Sequence, residues 1–466
     1  MSSPFQQRVL AAMGDQGLRS ALDRATAQLG DRRKNAFSSL DHSDLIRDIS
    51  RYAKMDLLRD LSGNLQRFEH ALQDNGAQVH WAEDGPRANS IIVDIARQGR
   101  VKLAVKSKSM VTEETHLNEA LEHAGMEVVD TDLGEYIVQL ARSRPSHIIA
   151  PIIHMSRADV GRVMEQRIGV PFSDDPQTLA RYARERLRTY FLRADMGITG
   201  ANFGVVETGT ICLVTNEGNG GMVTTLPRIH VVLMGIEKLV PTLAHLDLFL
   251  KILARSATGQ KLSVYTTLVS GPRARDHESG PEEVHVILLD NGRSNILAGE
   301  TAEILGCIRC GACLNACPVY KNIGGHAYGD TYSGPIGAIV TPGLKGLHDW
   351  KDLPGASSLC GACREVCPVR LDIPKMLLSL RKTSIEQGLS TFDMRMAMTA
   401  FGIVARSPNL YRFFAALVRW VLRRSTQQAW VKTAPGLAAG WTKVRDLKVP
   451  AAKNFQQQWR ARKRGK

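Results

Sequence analysis

Leu58, Leu61, Leu65, Phe68 and Leu72 recur at steps of 3, 4, 3 and 4, which sets five large apolar side chains on one face of a helix. The spacing predicts helix within residues 40–75, closed by Asn75-Gly76. Past residue 90 the pattern changes to short apolar runs. Residues 101–105, 126–129, 147–153, 210–214, 229–233 and 284–289 read as strands, and 175–193 between them reads as helix. Strands alternating with helices predict an α/β domain on a largely parallel sheet, covering roughly 40–295. Residues 1–39 are left as an N-terminal extension. Residues 296–382 are organised by cysteines, and the seven glycines of 321–346, with Pro335 and Pro342, predict loop there. A tail, 383–466, carries the helical-looking stretch 410–424.

Charge changes the picture of the tail. The net charge is +14, but residues 381–466 hold 18 Lys and Arg against 3 Asp and Glu, so the whole excess lies there. Four of the six tryptophans, Trp420, Trp430, Trp441 and Trp459, share the segment. Aromatic side chains among arginines suit docking onto a partner subunit or peripheral contact with an anionic membrane. No nucleic-acid-binding motif accompanies the charge, which argues against a nucleic-acid partner. The first eight residues lack the apolar core of a signal peptide. The stretch 410–422 is broken by Arg412 and Arg419 and falls short of the roughly 20 apolar residues of a bilayer span. A cytoplasmic location is expected, where ordered cysteines point to metal or redox chemistry rather than disulfides.

Seven of the eight cysteines follow such an order. Cys307-Ile-Arg-Cys310-Gly-Ala-Cys313-Leu-Asn-Ala-Cys317-Pro318 is the C-x2-C-x2-C-x3-C-P run of bacterial ferredoxins, in which the fourth cysteine serves the other of two clusters. After 42 intervening residues comes Cys360-Gly-Ala-Cys363-Arg-Glu-Val-Cys367-Pro368, which repeats the last three cysteines and has Ser357 in the place of the first. Crossed ligation predicts one complete set, Cys307, Cys310, Cys313 and Cys367, for a [4Fe–4S] cluster. The second set, Cys317, Cys360 and Cys363, is one thiolate short, and either a [3Fe–4S] or a [4Fe–4S] centre fits it, with Ser357 a candidate fourth ligand. Zinc is disfavoured because its structural sites close with four ligands each and the paired C-x3-C-P endings are not a zinc-ribbon spacing. Cys212, among apolar strand residues, reads as a buried small hydrophobe.

Three other stretches carry candidate ligand contacts. Lys106 and Lys108, with two serines, end a predicted strand and suit an anion. Glu207, Gly209, Thr210 and Asn219 lie in glycine-rich segments flanking a strand, where backbone amides can face a ligand. Neither segment is G-x-G-x-x-G opening a helix, so a Rossmann dinucleotide site is not expected. Arg273 and His285 are candidates for substrate contact, with a surface turn and a hydrogen-bonded strand histidine as the plainer alternatives.

The segments Glu207-Thr-Gly-Thr-Ile211, Asn216-Glu-Gly-Asn219, Leu226-Pro227, Glu237-Lys238, Ser256-Ala-Thr-Gly259 and Leu289-Asp-Asn-Gly-Arg293 resemble the LUD domain of lactate utilisation proteins. Cys307 to Pro318, Lys321-Asn-Ile-Gly-Gly-His326 and Leu359 to Pro368, together with the basic tail, resemble the lactate utilisation protein B family. The resemblance implies an α/β domain similar to CoA-transferase-like and sugar-phosphate isomerase-like folds, a mainly helical ferredoxin-type domain with two iron–sulfur clusters, and a basic helical tail. It also implies an electron-transfer subunit of a system oxidising L-lactate to pyruvate. The implied partners are a cysteine-rich protein resembling heterodisulfide-reductase subunits and a smaller LUD protein. Two alternatives stay open at this stage: an enzyme in its own right that binds the hydroxy acid at the incompletely ligated iron, and a redox sensor reaching nucleic acid through its tail.

Overall fold

The computed structural model describes the chain apart from residues 1, 2, 275, 278, 391, 425–428, 435–438, 443, 444, 465 and 466. Two helices, Ser43–Arg59 and Leu61–Asp74, occupy the first helical region. Asp60 breaks them apart, and its carboxylate accepts the Gly63 N–H at 3.2 Å as an N-cap. Leu58, Leu61, Leu65, Phe68 and Leu72 are all buried, as their spacing predicts. Each such side chain contributes on the order of 1.5–3 kcal/mol by leaving water. Gly76 ends the second helix at φ +84°, where other residues would be strained.

Ten strands follow: β1 (Gln78–Ala82), β2 (Leu103–Lys106), β3 (Glu127–Asp130), β4 (Met196–Thr199), β5 (Phe203–Val205), β6 (Thr210–Thr215), β7 (Ile229–Gly235), β8 (Leu239–Val240), β9 (Tyr265–Val269) and β10 (Glu283–Leu289). Six form one sheet in the order β1-β10-β7-β4-β2-β3, every neighbour parallel. Its inner strands are buried on both faces, as a parallel sheet between helices requires. A second, mixed sheet has the order β8-β5-β6-β9 and was not anticipated from the pattern. From β2 the chain moves outward to β3, and from the adjacent β4 it moves the other way to β7. The gap above the carboxyl ends of β2 and β4 is therefore a topological switch point, where open α/β sheets place ligands.

Two expectations are corrected. Residues 147–153 form no strand but a chain of bends and turns. Their apolar side chains lie against the first cysteine loop instead, and a Cβ on Gly311 would meet Ile149 at 3.2 Å and His147 at 3.4 Å. Within 321–346, expected as loop, Gly334–Lys345 is a helix. Pro335 sits in its first turn, where no N–H partner is needed, and Gly337 lets the helix approach the Tyr332 backbone. The 175–193 helix forms as Pro176–Arg193, capped by Asp175.

The N-terminal segment is two helices, Pro4–Gly14 and Gln16–Ser38. Arg8 donates to the Ala327 carbonyl and Arg33 to the Val366 carbonyl, so both helices are tied to the cysteine segment. One apolar core runs through all three segments, from Leu22 through Phe68 and Phe249 to Tyr320 and Leu377, within the compact unit Met1–Gln387. Gly388–Lys466 is a second unit. It holds helices Phe392–Arg406 and Pro408–Arg424 and a short pairing of Trp430–Val431 with Leu447–Lys448. Among its described residues the buried apolar cluster is small, Leu422, Val431 and Ala434, while Phe392, Phe401, Phe413 and Trp420 are exposed. No helix of the described residues is long and apolar enough to cross a membrane.

Candidate metal centre

The second cysteine loop repeats the first in backbone detail. Arg309 and Gly311 have φ +58° and +75°, and Leu359 and Gly361 have φ +55° and +86°. Each glycine opens a short helix, Ala312–Ala316 or Ala362–Glu365. The Ala312 N–H donates to Cys310 and the Ala362 N–H to Cys360. Val319 and Tyr320 donate to Cys317, while Val369 and Leu371 donate to Cys367. Cys307 Sγ accepts the N–H two residues on, from Arg309, at 3.4 Å. Ser357 Oγ accepts the N–H two residues on, from Leu359, at 3.1 Å. Ser357 thus occupies the place of a first cysteine in conformation as well as in spacing.

The thiols sort into two groups. Burial pushes Cys310 up to about 12, and the charges it feels next are those of Cys307 and Cys367. Cys313 is raised by burial and then by Cys307, Cys310 and Cys367. Cys367 is pushed up to about 11, chiefly by burial, with Cys307 adding to it. In the other group, burial and then Cys317 raise Cys363 to about 12, and burial raises Cys317, which also feels Cys360. The groups adjoin, because Cys313 feels Cys363 as well. Cys360 is exposed, and the Ala362 N–H followed by the Ser358 hydroxyl lowers it. Buried thiols at such values would stay protonated and inert alone, yet backbone N–H groups are aimed at their sulfurs, which stabilises thiolate. Soft thiolate sets with N–H donors at the sulfurs suit iron–sulfur clusters. Cys212 is fully buried in β6, away from both groups, and burial pushes its thiol up to about 12.

A charged network links this segment to the α/β domain. The Arg293 guanidinium donates to both oxygens of Glu114 at 2.9 Å and to Glu237 at 2.7 Å. Glu114 also accepts from Tyr332 Oη at 2.7 Å. Arg309, inside the first cysteine loop, lies 4.8 Å over the Tyr332 ring and 3.6 Å from Glu237. Burial alone would raise Glu237, but the charges of Arg293, Lys238 and Arg309 together outweigh it and hold the acid at about 2.

Above the ends of β2 and β4 lies a cavity of about 300 Å³. Ser107, Lys108 and Ser109 line it after β2, Gly200 to Asn202 after β4 and Lys238 after β7, and Arg309 and Tyr332 of the cysteine segment close it. Of the residues singled out in the sequence, Lys108 and Asn219 reach this cavity. Lys106 does not receive an external anion. It is fully buried in ion pairs with Glu113 at 2.8 Å and Asp130 at 3.0 Å, so the carboxylates Glu113, Asp130 and Glu135 already surround a cation. Glu207 is exposed and accepts the Leu243 N–H. Gly209 packs on the Ala71 backbone at φ +63°, and Thr210 hydrogen-bonds Ser270, so this turn is structural. Arg273 pairs with Glu282, and His285 with His80 and Glu283 at the amino end of β10, away from the crevice. Sequence reasoning missed Lys238 and Arg309 as cavity residues, although the first lay in a recognised segment and the second between two cysteines.

Comparison with known proteins agrees with this layout. The LUD domain family matches residues 65–289, the 4Fe-4S dicluster domain family residues 303–371, and the family described as "Lactate utilisation protein B, C-terminal" residues 387–464. The chain is 42% identical over 463 residues to "Lactate utilization protein B" of Shouchella clausii, covering 99% of this chain and 98% of that one. It is 41% identical over 454 residues to the protein of the same description from Bacillus subtilis, covering 97% and 95%.

Proposed function

The chain belongs to the lactate utilisation protein B family, and from that premise we propose that it is the iron–sulfur electron-transfer subunit of a multiprotein system oxidising L-lactate to pyruvate. The supporting observation is the sorting of seven thiols into adjoining groups of four and three. In this reading Cys307, Cys310, Cys313 and Cys367 hold a [4Fe–4S] cluster. Cys317, Cys360 and Cys363 hold the second, [4Fe–4S] or [3Fe–4S], with Ser357 beside it. Bound there, each cluster would exchange one electron, so the pair matches the two electrons released when a 2-hydroxy acid becomes a 2-oxo acid. The chain's own part is to bury three of the first set, Cys310, Cys313 and Cys367, to aim N–H groups at the sulfurs, and to leave Cys360 at the surface, where a partner can approach.

The partners are a cysteine-rich protein resembling heterodisulfide-reductase subunits and a smaller LUD protein. The basic tail, with Tyr411, Leu417 and Trp420 exposed along one amphipathic helix, docks on one of them. The test is anaerobic EPR of the purified chain. L-Lactate is expected to give reduced-cluster signals only when the partners are present, and added salt is expected to weaken that coupling by screening the tail. A dithionite-treated protein silent in EPR sinks the reading. A salt-insensitive coupling removes the tail's electrostatic part alone, and vesicle binding without partner binding reassigns the tail to a membrane surface.

Ser357→Cys supplies the missing thiolate in a backbone already shaped for it. The expected result is slower bleaching of cluster absorbance in air, by roughly severalfold, since an incompletely ligated cluster loses iron first. Unchanged bleaching counts against a second set short of one sulfur.

A further inference from the structure

In the cavity above β2 and β4, topology, charge and unmet hydrogen bonds of the described residues coincide. Its position at the switch point follows from the strand order alone. Three cations line it: Lys108, Lys238 and Arg309. Lys238 is only 8% exposed, and although it feels the charge of Glu237, its ammonium forms no hydrogen bond and no ion pair within 4 Å among the described residues. Lys108 donates to the Ile149 carbonyl alone. Arg309 keeps Nε and Nη1 without a hydrogen-bond partner. Two carboxylates share the lining but are engaged on backbone amides: Asp132 accepts from Gly134 and Glu135, and Glu217 from Leu133. Asn219 is 5% exposed, and its side-chain oxygen has no partner. A buried amide oxygen in that state costs about 1–3 kcal/mol unless a donor reaches it.

We propose that this cavity binds a small 2-hydroxy monocarboxylate, its carboxylate met by Lys238, Lys108 and Arg309 and its hydroxyl donated to Asn219. The proposal rests on the lactate reading above and deepens it by giving the substrate a place. Cations with hydrogen-bond donors left over select an anion, the orphan acceptor selects a donor on that anion, and about 300 Å³ limits its size. Arg309 belongs both to the cavity wall and to the loop between Cys307 and Cys310, so the ligand lies beside the four-thiol set rather than beside Ser357.

The test is calorimetric titration of the anaerobic, cluster-loaded full chain with L-lactate, propionate and lactamide. Lactate is expected to bind, propionate more weakly because it lacks the hydroxyl, and lactamide not detectably. K238M and K108M are expected to weaken lactate about tenfold to a hundredfold, the size of a lost hydrogen bond to a charged group, with iron, sulfide and melting temperature unchanged in K108M. If K238M fails to fold, the half-exposed Lys108 decides. Lactate binding unchanged in K108M, lactamide binding equal to lactate, or no lactate binding at all overturns the site. None of these touches the electron-transfer reading, which stands or falls on partner-dependent cluster reduction.

Discussion

Cys367→Ala is expected to delete the same cluster as Cys310→Ala, although the two residues lie in different motifs. Cys317→Ala is expected to delete the other one, together with Cys360→Ala. The reason is the crossed grouping: Cys367 shares its electrostatic surroundings with Cys307, and Cys317 shares its own with Cys360. Each substitution should lower iron and acid-labile sulfide by up to about half, the share of one of the two clusters, because it takes a protein ligand from that cluster alone. EPR of the reduced proteins should show two spectra among the four variants, paired across the motifs. Cys212→Ala should keep full iron, since that thiol packs among β-strand side chains. If the variants pair within motifs instead, each loop carries its own cluster and the assignment of Ser357 to the second set fails as well.

Much of this site was legible because short-range chemistry fixes it. The cysteine spacing, the glycines after Cys310 and Cys360, and the serine in place of a cysteine are all local, and the two loops share their φ values residue by residue. Five of the six strands read from apolar runs also formed, four of them in the parallel sheet, which buries both faces of its inner strands, and one, β6, in the mixed sheet. What failed was decided by distant parts of the chain. The run 147–153 is as apolar as a strand, but its surroundings are the cysteine loop, where His147 Nε2 donates to the Asn315 side-chain oxygen and Ile149 packs on Gly311. Lys106 and Lys108, two residues apart, face different worlds: one turns into three internal carboxylates and the other into the crevice. No periodicity reports which way a side chain at a strand end will turn. The resemblance marked Glu237, Lys238 and Arg293 as a set without saying what they do, and their role appears only when the cysteine segment is seen to lean on them.

That role can be measured at Arg293. Arg293→Met is expected to destabilise the protein by about 3–5 kcal/mol, the cost of leaving buried charges without their partner. Arg293 is 1% exposed and carries the counter-charge for Glu114 and Glu237 at once, each with a side chain 1% exposed. With the guanidinium gone, Glu114 keeps Tyr332 and Asn291 as donors, while Glu237 is left with Arg309 at 3.6 Å and the charge of Lys238. Both acids must then take up protons or loosen their surroundings, and Tyr332 and Arg309 carry that loosening into the cysteine segment. A surface pair provides the contrast: Arg59, 3.4 Å from Asp56 with both side chains more than half exposed, should change stability by about 0–1 kcal/mol when replaced by methionine. Urea unfolding of the anaerobic proteins gives both values. Adding Glu114→Gln and Glu237→Gln to Arg293→Met should recover a good part of the loss, because neutral amides remove the unpaired charge while filling the same space. A loss at Arg293 no larger than at Arg59 would mean that apolar packing alone joins the two segments, and that the trio Glu237, Lys238 and Arg293 serves the cavity and not the fold.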